Sequence, residues 1–152
     1  MKYSEIECEI SPQLVAATRW LISRKEYSIW KQPETEQNRR IDVWAGEVSM
    51  QYGIEKPTVV IDKSFSPSYT PWEHKIRLNK VSVVSLFHEF AHAIQVRTGK
   101  PKMESEVWAR TFSCKLFKTA SPLNYRRACE RKTLLFTLDD EVRFTLDDEV
   151  RA

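Results

Sequence analysis

The chain has 152 residues, of which 41% are hydrophobic and 30% are charged, a composition typical of one globular domain with a packed core. It contains no apolar run of roughly 18 residues, which excludes a predicted membrane span, and no apolar segment of a secretory signal near its start. Its three cysteines lie far apart without a Cys-x-x-Cys pair, which argues against a disulfide framework or a cysteine zinc cluster. We therefore expect a cytoplasmic protein with reduced thiols and no membrane partner.

The net charge of +3 is unevenly distributed. Residues 136–152 hold six acids and two bases, a net charge of −4, so residues 1–135 carry +7. Ten basic residues lie between Arg97 and Lys132, and such a group could contact nucleic acid. A solvated helix surface is the commoner origin of this pattern, so nucleic acid is a weakly supported partner.

Two helices are predicted in the N-terminal third. The pair Ser11-Pro12 combines a capping residue with proline at the first helical position, and apolar residues at helical spacing continue to about Lys25. A second apolar stripe from Ile41 to Tyr52 predicts another helix, which should end at Gly53.

Two strands are predicted next. The β-branched run Thr58–Asp62 is typical of a strand, and Ser64–Pro71, with its serines and prolines, is predicted to be a loop. From His74 to Leu78 apolar and charged residues alternate, which indicates a half-buried strand at a sheet edge.

Three further helices complete the pattern. Ser82 can cap a strongly predicted helix from Val83 to about Thr98, which should end at Gly99. The others are predicted to begin at Pro101 and Pro122, the last running to Leu134.

This order of elements predicts an α+β fold in a single domain of residues 1–135, with N-terminal helices within 11–53 and a catalytic core within 58–119. The remaining residues, 136–152, form an acidic tail with a direct repeat, because Phe136–Arg143 is copied as Phe144–Arg151. Two copies are too few for a repeat fold, so we expect an exposed and partly disordered tail.

The predicted helix 83–98 contains the motif His88-Glu89-x-x-His92. Histidines four residues apart lie on one helix face, separated by about 6 Å along the axis, so both imidazoles can reach one metal ion. Glu89, beside the first histidine, can hold a water molecule at the metal and take its proton.

A metal site requires at least one more protein ligand. His74 is the only other histidine, and no aspartate lies between Lys63 and Leu138, so a third histidine or an aspartate shortly after the motif is excluded. The downstream carboxylates before the acidic tail are Glu104, Glu106 and Glu130.

Spacing favours Glu106 among these candidates. In a helical hairpin that turns near Gly99, His92 and Glu106 lie seven residues on either side of the turn and should reach a similar height. Glu106 also shares a stripe with Phe112, so it should face inward, where a bound cation would offset the cost of burying a carboxylate. Glu104 is the alternative, on a face expected to be more polar, followed by Glu130 and His74.

The segments Ser85–Gln95 and Glu104–Ala109 together resemble the gluzincin metallopeptidases, and in particular the small zincin-like domains of ImmA/IrrE-type proteases and antirestriction-associated proteins of mobile elements. The resemblance covers about Thr58–Phe117. It implies a zincin-like fold with a short antiparallel sheet, an active-site helix and a following glutamate helix, in which Glu106-x-x-Ala109 matches the family's Glu-x-x-Ala motif. It also implies that the strand before the motif is the substrate-binding edge strand.

The resulting hypothesis is a zinc-dependent metallopeptidase in which Zn²⁺ is bound by His88, His92 and Glu106, and Glu89 is the general base. Its partner would be a peptide or protein substrate that pairs with the strand at Lys75–Leu78. The alternatives are a non-catalytic zinc-stabilised binding module and a nucleic-acid-associated protein of a phage or mobile element. Candidates for stabilising the tetrahedral intermediate are His74, Tyr69 and Tyr125.

Overall fold

The computed structural model describes residues 1–22, 29–80, 82–100 and 105–142. This part of the chain is α+β, with five α-helices and one small mixed sheet of three strands. In chain order the elements are α1 (Pro12–Ile22), α2 (Glu34–Tyr52), β1 (Thr58–Ile61), β2 (Ser68–Thr70), β3 (Lys75–Leu78), α3 (Val83–Thr98), α4 (Ser105–Ala120) and α5 (Pro122–Glu130).

Several helix ends lie where the sequence predicts them. At the start of α3 the Ser82 hydroxyl accepts a hydrogen bond from the Val84 amide at 3.1 Å, and at its end Gly99 adopts a left-handed conformation. Ser11 caps α1 in the same way through the Leu14 amide, and Gly53 ends α2.

Other helix boundaries differ from the prediction. α2 begins seven residues before Ile41, because its first two turns are polar and are supported by Glu36 pairing with Arg40 at 2.8 Å rather than by an apolar stripe. α5 ends at Glu130 rather than Leu134, since the backbone of Lys132 turns to a φ of 53°. The predicted continuation of the first helix to Lys25 and the start of the fourth helix at Pro101 lie outside the described residues.

The sheet corrects two predictions. Its order is β1-β3-β2, so Lys75–Leu78 is the central strand and not an edge strand. β1 pairs with β3 in parallel and β2 pairs with it antiparallel, so the sheet is mixed rather than antiparallel. Both predictions are wrong because the segment predicted as a loop contains β2. This strand pairs with one side of β3, with Tyr69 opposite Ile76, and β1 pairs with the other side.

The core lies between the sheet and the helices. α3 packs against β2 and β3 on one side and against α4 on another. Trp44 of α2 is fully buried, with its ring centroid 5.4 Å from Phe87 and 5.0 Å from Phe90 of α3. The motif helix is therefore fixed by aromatic packing on the side away from its histidines. Among the described residues no helix combines the length and apolar character of a membrane span.

The first copy of the tail repeat is packed, unlike the exposed tail that the sequence predicts. Leu138 is only 5% exposed, and its carbonyl accepts the amide of Ser4 at 2.8 Å. The physical reason is that Phe136 and Leu138 find apolar partners and Tyr125 satisfies the Leu138 amide, none of which the local sequence indicates. Residues 143–152 lie outside the described part.

The cap of α3 gives a first test of how this helix is fixed. Replacing Ser82 by alanine is expected to lower the free energy of unfolding by about 1 kcal/mol, because the Val84 amide loses its acceptor. Ser82→Asn keeps a capping oxygen and should stay close to wild type. Urea-induced unfolding of both variants measures the difference, and equal losses would show that the cap contributes nothing.

Candidate metal centre

The side chains of the His-Glu-x-x-His motif project from one part of α3. His88 and His92 are one helical turn apart, and their ring centroids are 4.9 Å from each other. Glu89 lies beside His88, is only 7% exposed, and borders the same cavity as the two histidines.

Glu106, in the first turn of α4, completes a compact group with these histidines. Its Oε1 atom lies 2.7 Å from His92 Nε2 and 3.3 Å from His88 Nε2, and the two Nε2 atoms are 3.2 Å apart. The three residues thus offer two imidazole nitrogens and a carboxylate oxygen around one point, an arrangement that could bind a metal ion.

The spacing of these atoms suits a small tetrahedral ion. Ligand atoms about 2.0–2.1 Å from zinc in a tetrahedral site lie roughly 3.3 Å from each other. The separations of 3.2 Å and 3.3 Å match this value, and only the 2.7 Å contact of His92 with Glu106 would have to lengthen. Histidine nitrogen and carboxylate oxygen are also ligand types that zinc accepts.

The carboxyl group of Glu106 is in the protonation state that a ligand requires. Burial by itself raises the pKa of Glu106, but hydrogen bonds from His88 and His92 outweigh this effect and hold the pKa well below its usual range. Glu106 is therefore ionised at neutral pH.

Polar neighbours orient the candidate ligands. His92 Nδ1 lies 3.0 Å from the hydroxyl of Ser105, which itself contacts the side-chain oxygen of Gln95 at 3.3 Å. Because this contact occupies Nδ1, the Nε2 atom of His92 stays directed at the place where a metal ion could bind. On the other side, Arg110 Nε lies 3.5 Å from Glu106 Oε2 and limits rotation of the carboxylate.

The alternative third ligands stand differently. Glu104 lies outside the described residues, and the zinc analysis below tests the choice between Glu104 and Glu106. Glu130 is at the exposed end of α5, where its carboxylate is 3.9 Å from Arg126. Trp108 and Thr111, which share the helix face assigned to Glu104, are buried by packing around α4.

His74 is committed to a structural network and not to the metal centre. Its Nδ1 atom accepts from the Tyr69 hydroxyl at 2.7 Å and from Arg97 Nε at 3.1 Å, while Nε2 donates to the carbonyl of Glu55 at 2.6 Å. Both ring nitrogens are thereby occupied. This network joins β2, the start of β3 and α3.

The ligand group opens on a cavity of about 1290 Å³, larger than the 300–1,000 Å³ of ordinary small-molecule pockets. β2 and the loop around it form one wall, and the segment Thr133–Phe136 forms another. Of the three candidates for stabilising a tetrahedral intermediate, only Tyr69 borders this cavity within the described structure. The hydroxyl of Tyr125 instead accepts the Leu138 amide at 2.9 Å.

Sequence reasoning missed three residues around the centre. Arg110 lies four residues after Glu106, a helical spacing that could have revealed it, and its guanidinium donates to the Tyr3 hydroxyl at 2.9 Å. Phe136 packs with its ring centroid 5.8 Å from that of His88. No local signal connects Tyr3 or Phe136 with the motif.

Several of the basic residues between Arg97 and Lys132 make contacts with other parts of the fold. Arg97 contacts His74, Lys115 donates to the carbonyl of Ile6, and Lys118 lies over the ring of Tyr125. Nucleic-acid binding through this group stays a prediction.

A comparison of the chain with protein-family models, with curated proteins and with solved structures finds no match. The interpretation of the centre therefore depends on its geometry and its chemistry.

Metal analysis of purified variants tests the ligand assignment. Wild type is expected to bind about one equivalent of Zn²⁺, and His88→Ala and Glu106→Ala should each lose most of it, because two ligands hold the ion far more weakly than three. Glu104→Ala and His74→Asn are the matched controls, the latter chosen because asparagine tolerates the φ of 48° at this position. Loss of zinc in Glu104→Ala with retention in Glu106→Ala would reverse the assignment.

Proposed function

We propose that the protein is a zinc-dependent peptidase of the gluzincin type, with His88, His92 and Glu106 as metal ligands. The observation that supports this proposal is the convergence of His88 Nε2, His92 Nε2 and the Glu106 carboxylate at the wall of a cavity that Glu89 also borders. Bound zinc would supply Lewis acidity, which polarises a carbonyl group and makes a water molecule more acidic.

Glu89 is the proposed general base. Its carboxylate accepts a proton from the attacking water and delivers it to the nitrogen of the scissile bond, so that the C–N bond breaks and a carboxylate and an amine are formed. Its position next to a metal ligand on α3 and its place at the wall of the same cavity support this role.

We propose β2 instead of β3 as the peptide-binding strand. β3 is paired on both sides, whereas β2 is an edge strand of the sheet in the described part of the chain. Ser68 and Tyr69 of β2 border the cavity, so an extended peptide could pair its main chain with this edge and pass the metal centre.

Exposed apolar side chains at the cavity suggest what the substrate presents. Trp72 is 85% exposed and Leu135 is 99% exposed, and both border the cavity. Large apolar side chains in such a position are typical of interaction sites. We therefore favour a peptide or unfolded protein segment with apolar residues near the cleaved bond.

Glu89→Gln separates catalysis from metal binding. The variant keeps the size of the side chain but not its basicity, so hydrolysis of a fluorogenic peptide library should fall by at least about a hundredfold. Zinc content measured on the same sample should stay at the wild-type level. Retained peptidase activity would contradict the mechanism, and zinc binding without hydrolysis by wild type would favour the non-catalytic binding module.

Trp72→Ala tests the apolar contact with substrate. Removing a side chain that only binds the peptide should raise KM by about tenfold and leave kcat near wild type. Trp20→Ala is a matched control, because Trp20 is 38% exposed in α1 and does not border this cavity. Equal changes in both variants would exclude a specific role of Trp72.

A further inference from the structure

The first copy of the tail repeat lies in a groove between the N-terminal residues and helices α4 and α5. The chain of this copy, Phe136–Val142, runs beside Met1–Ser4, with hydrogen bonds from the Ser4 amide to the Leu138 carbonyl at 2.8 Å and from the Tyr3 amide to the Asp140 carbonyl at 3.1 Å. These bonds use the main chain of the repeat and do not depend on its side chains.

Two side chains of this copy fix its register in the groove. Leu138 is 5% exposed and belongs to the main hydrophobic core, while its amide donates to the Tyr125 hydroxyl at 2.9 Å. Phe136 lies with its ring centroid 6.3 Å from that of Tyr3 and 5.2 Å from the guanidinium carbon of Arg110.

The copy also carries its own local turn. The Asp140 carboxylate accepts the Thr137 amide at 2.7 Å, which closes the turn that follows Phe136. Residues 144–150 repeat the docked sequence without a change, so each of these donors, acceptors and apolar groups recurs eight residues later.

We propose that this groove is a binding site for the sequence Phe-Thr-Leu-Asp-Asp-Glu-Val, and that the second copy, Phe144–Val150 of the same chain, can replace the first one in it. The same chain is the favoured source because a tethered segment acts at a high effective concentration. The protein thus has two registers of one docked tail.

The first register is favoured by the segment that precedes it. α5 is followed by residues 131–135 before the docked copy, and in the second register by residues 131–143, which makes the closing loop eight residues longer. Closing the shorter loop costs less chain entropy, and this difference favours the first copy by about fourfold. Leu134, which packs partly against the core, adds to this preference, whereas the exposed Leu135 does not.

Substitution of the equivalent leucines tests the replacement in the full chain. Leu146→Ala should unfold like wild type in urea. Leu138→Ala should lower the folding equilibrium constant by less than about tenfold, because the second copy takes the groove. The double variant Leu138→Ala/Leu146→Ala should lower it by at least about thirtyfold, since a truncated leucine then occupies the groove in either register.

Three results would overturn the proposal. The second copy does not replace the first one if Leu138→Ala is as unstable as the double variant or fails to fold, and the groove contributes nothing if the double variant equals wild type. If the stability of Leu138→Ala rises with protein concentration, the replacing copy comes from another chain.

The thiol of Cys114 supplies a second measurement at the groove itself. It is 1% exposed, and its Sγ atom lies 3.6 Å from the carbonyl of Phe136. Alkylation of Cys114 under native conditions, mapped by mass spectrometry, should stay slow in Leu138→Ala and become fast in the double variant. Equally fast alkylation in both variants would show that the groove is empty in Leu138→Ala.

Discussion

Two imidazole rings and a carboxylate can meet at one point here only because α3 and α4 pack against each other close to the turn between them. The turn begins at Gly99, and the first residues of α4 already face the histidine side of α3, with Ser105 at His92 and Glu106 between both rings. The opposite side of α3 is held by Trp44 through Phe87 and Phe90, so the helix cannot rotate its histidines away without breaking the core. The position of the centre is thus set by aromatic packing that lies on the far side of the helix.

The same packing creates an electrostatic cost, because it removes most of a carboxylate from water. Three kinds of partner offset this cost. The imidazoles can donate to Glu106 when no metal is bound, Arg110 supplies a positive charge at 3.5 Å, and a bound cation would take the place of the imidazole hydrogen bonds. Arg110 is itself held by Tyr3 and covered by the ring of Phe136, so both ends of the described chain support the centre.

Local signals were sufficient to predict the motif helix and the position of Glu106 beside it. Ser82 and Gly99 define α3 through hydrogen bonds and a backbone conformation that involve only nearby residues, and the seven-residue spacing about Gly99 was enough to place Glu106 beside His92. The pairing of strands and the contacts of the two chain ends could not be predicted in this way. β2 is a three-residue strand between two prolines that exists because β3 offers it an edge, and the central position of β3 follows from that pairing alone. Phe136 and Tyr3 reach the cavity through contacts across more than a hundred residues, for which a single sequence carries no signal.

The difference between local and non-local contacts has a consequence for how the centre forms. The three candidate ligands lie within residues 88–106, on a helical hairpin whose closure requires only a short loop. One wall of the cavity requires the tail to reach the first residues of the chain, and contacts between such distant segments form slowly during folding. A folding chain would therefore assemble its ligand group before the tail completes the cleft, so that a metal ion could be captured early and could act as a nucleus for the rest of the fold.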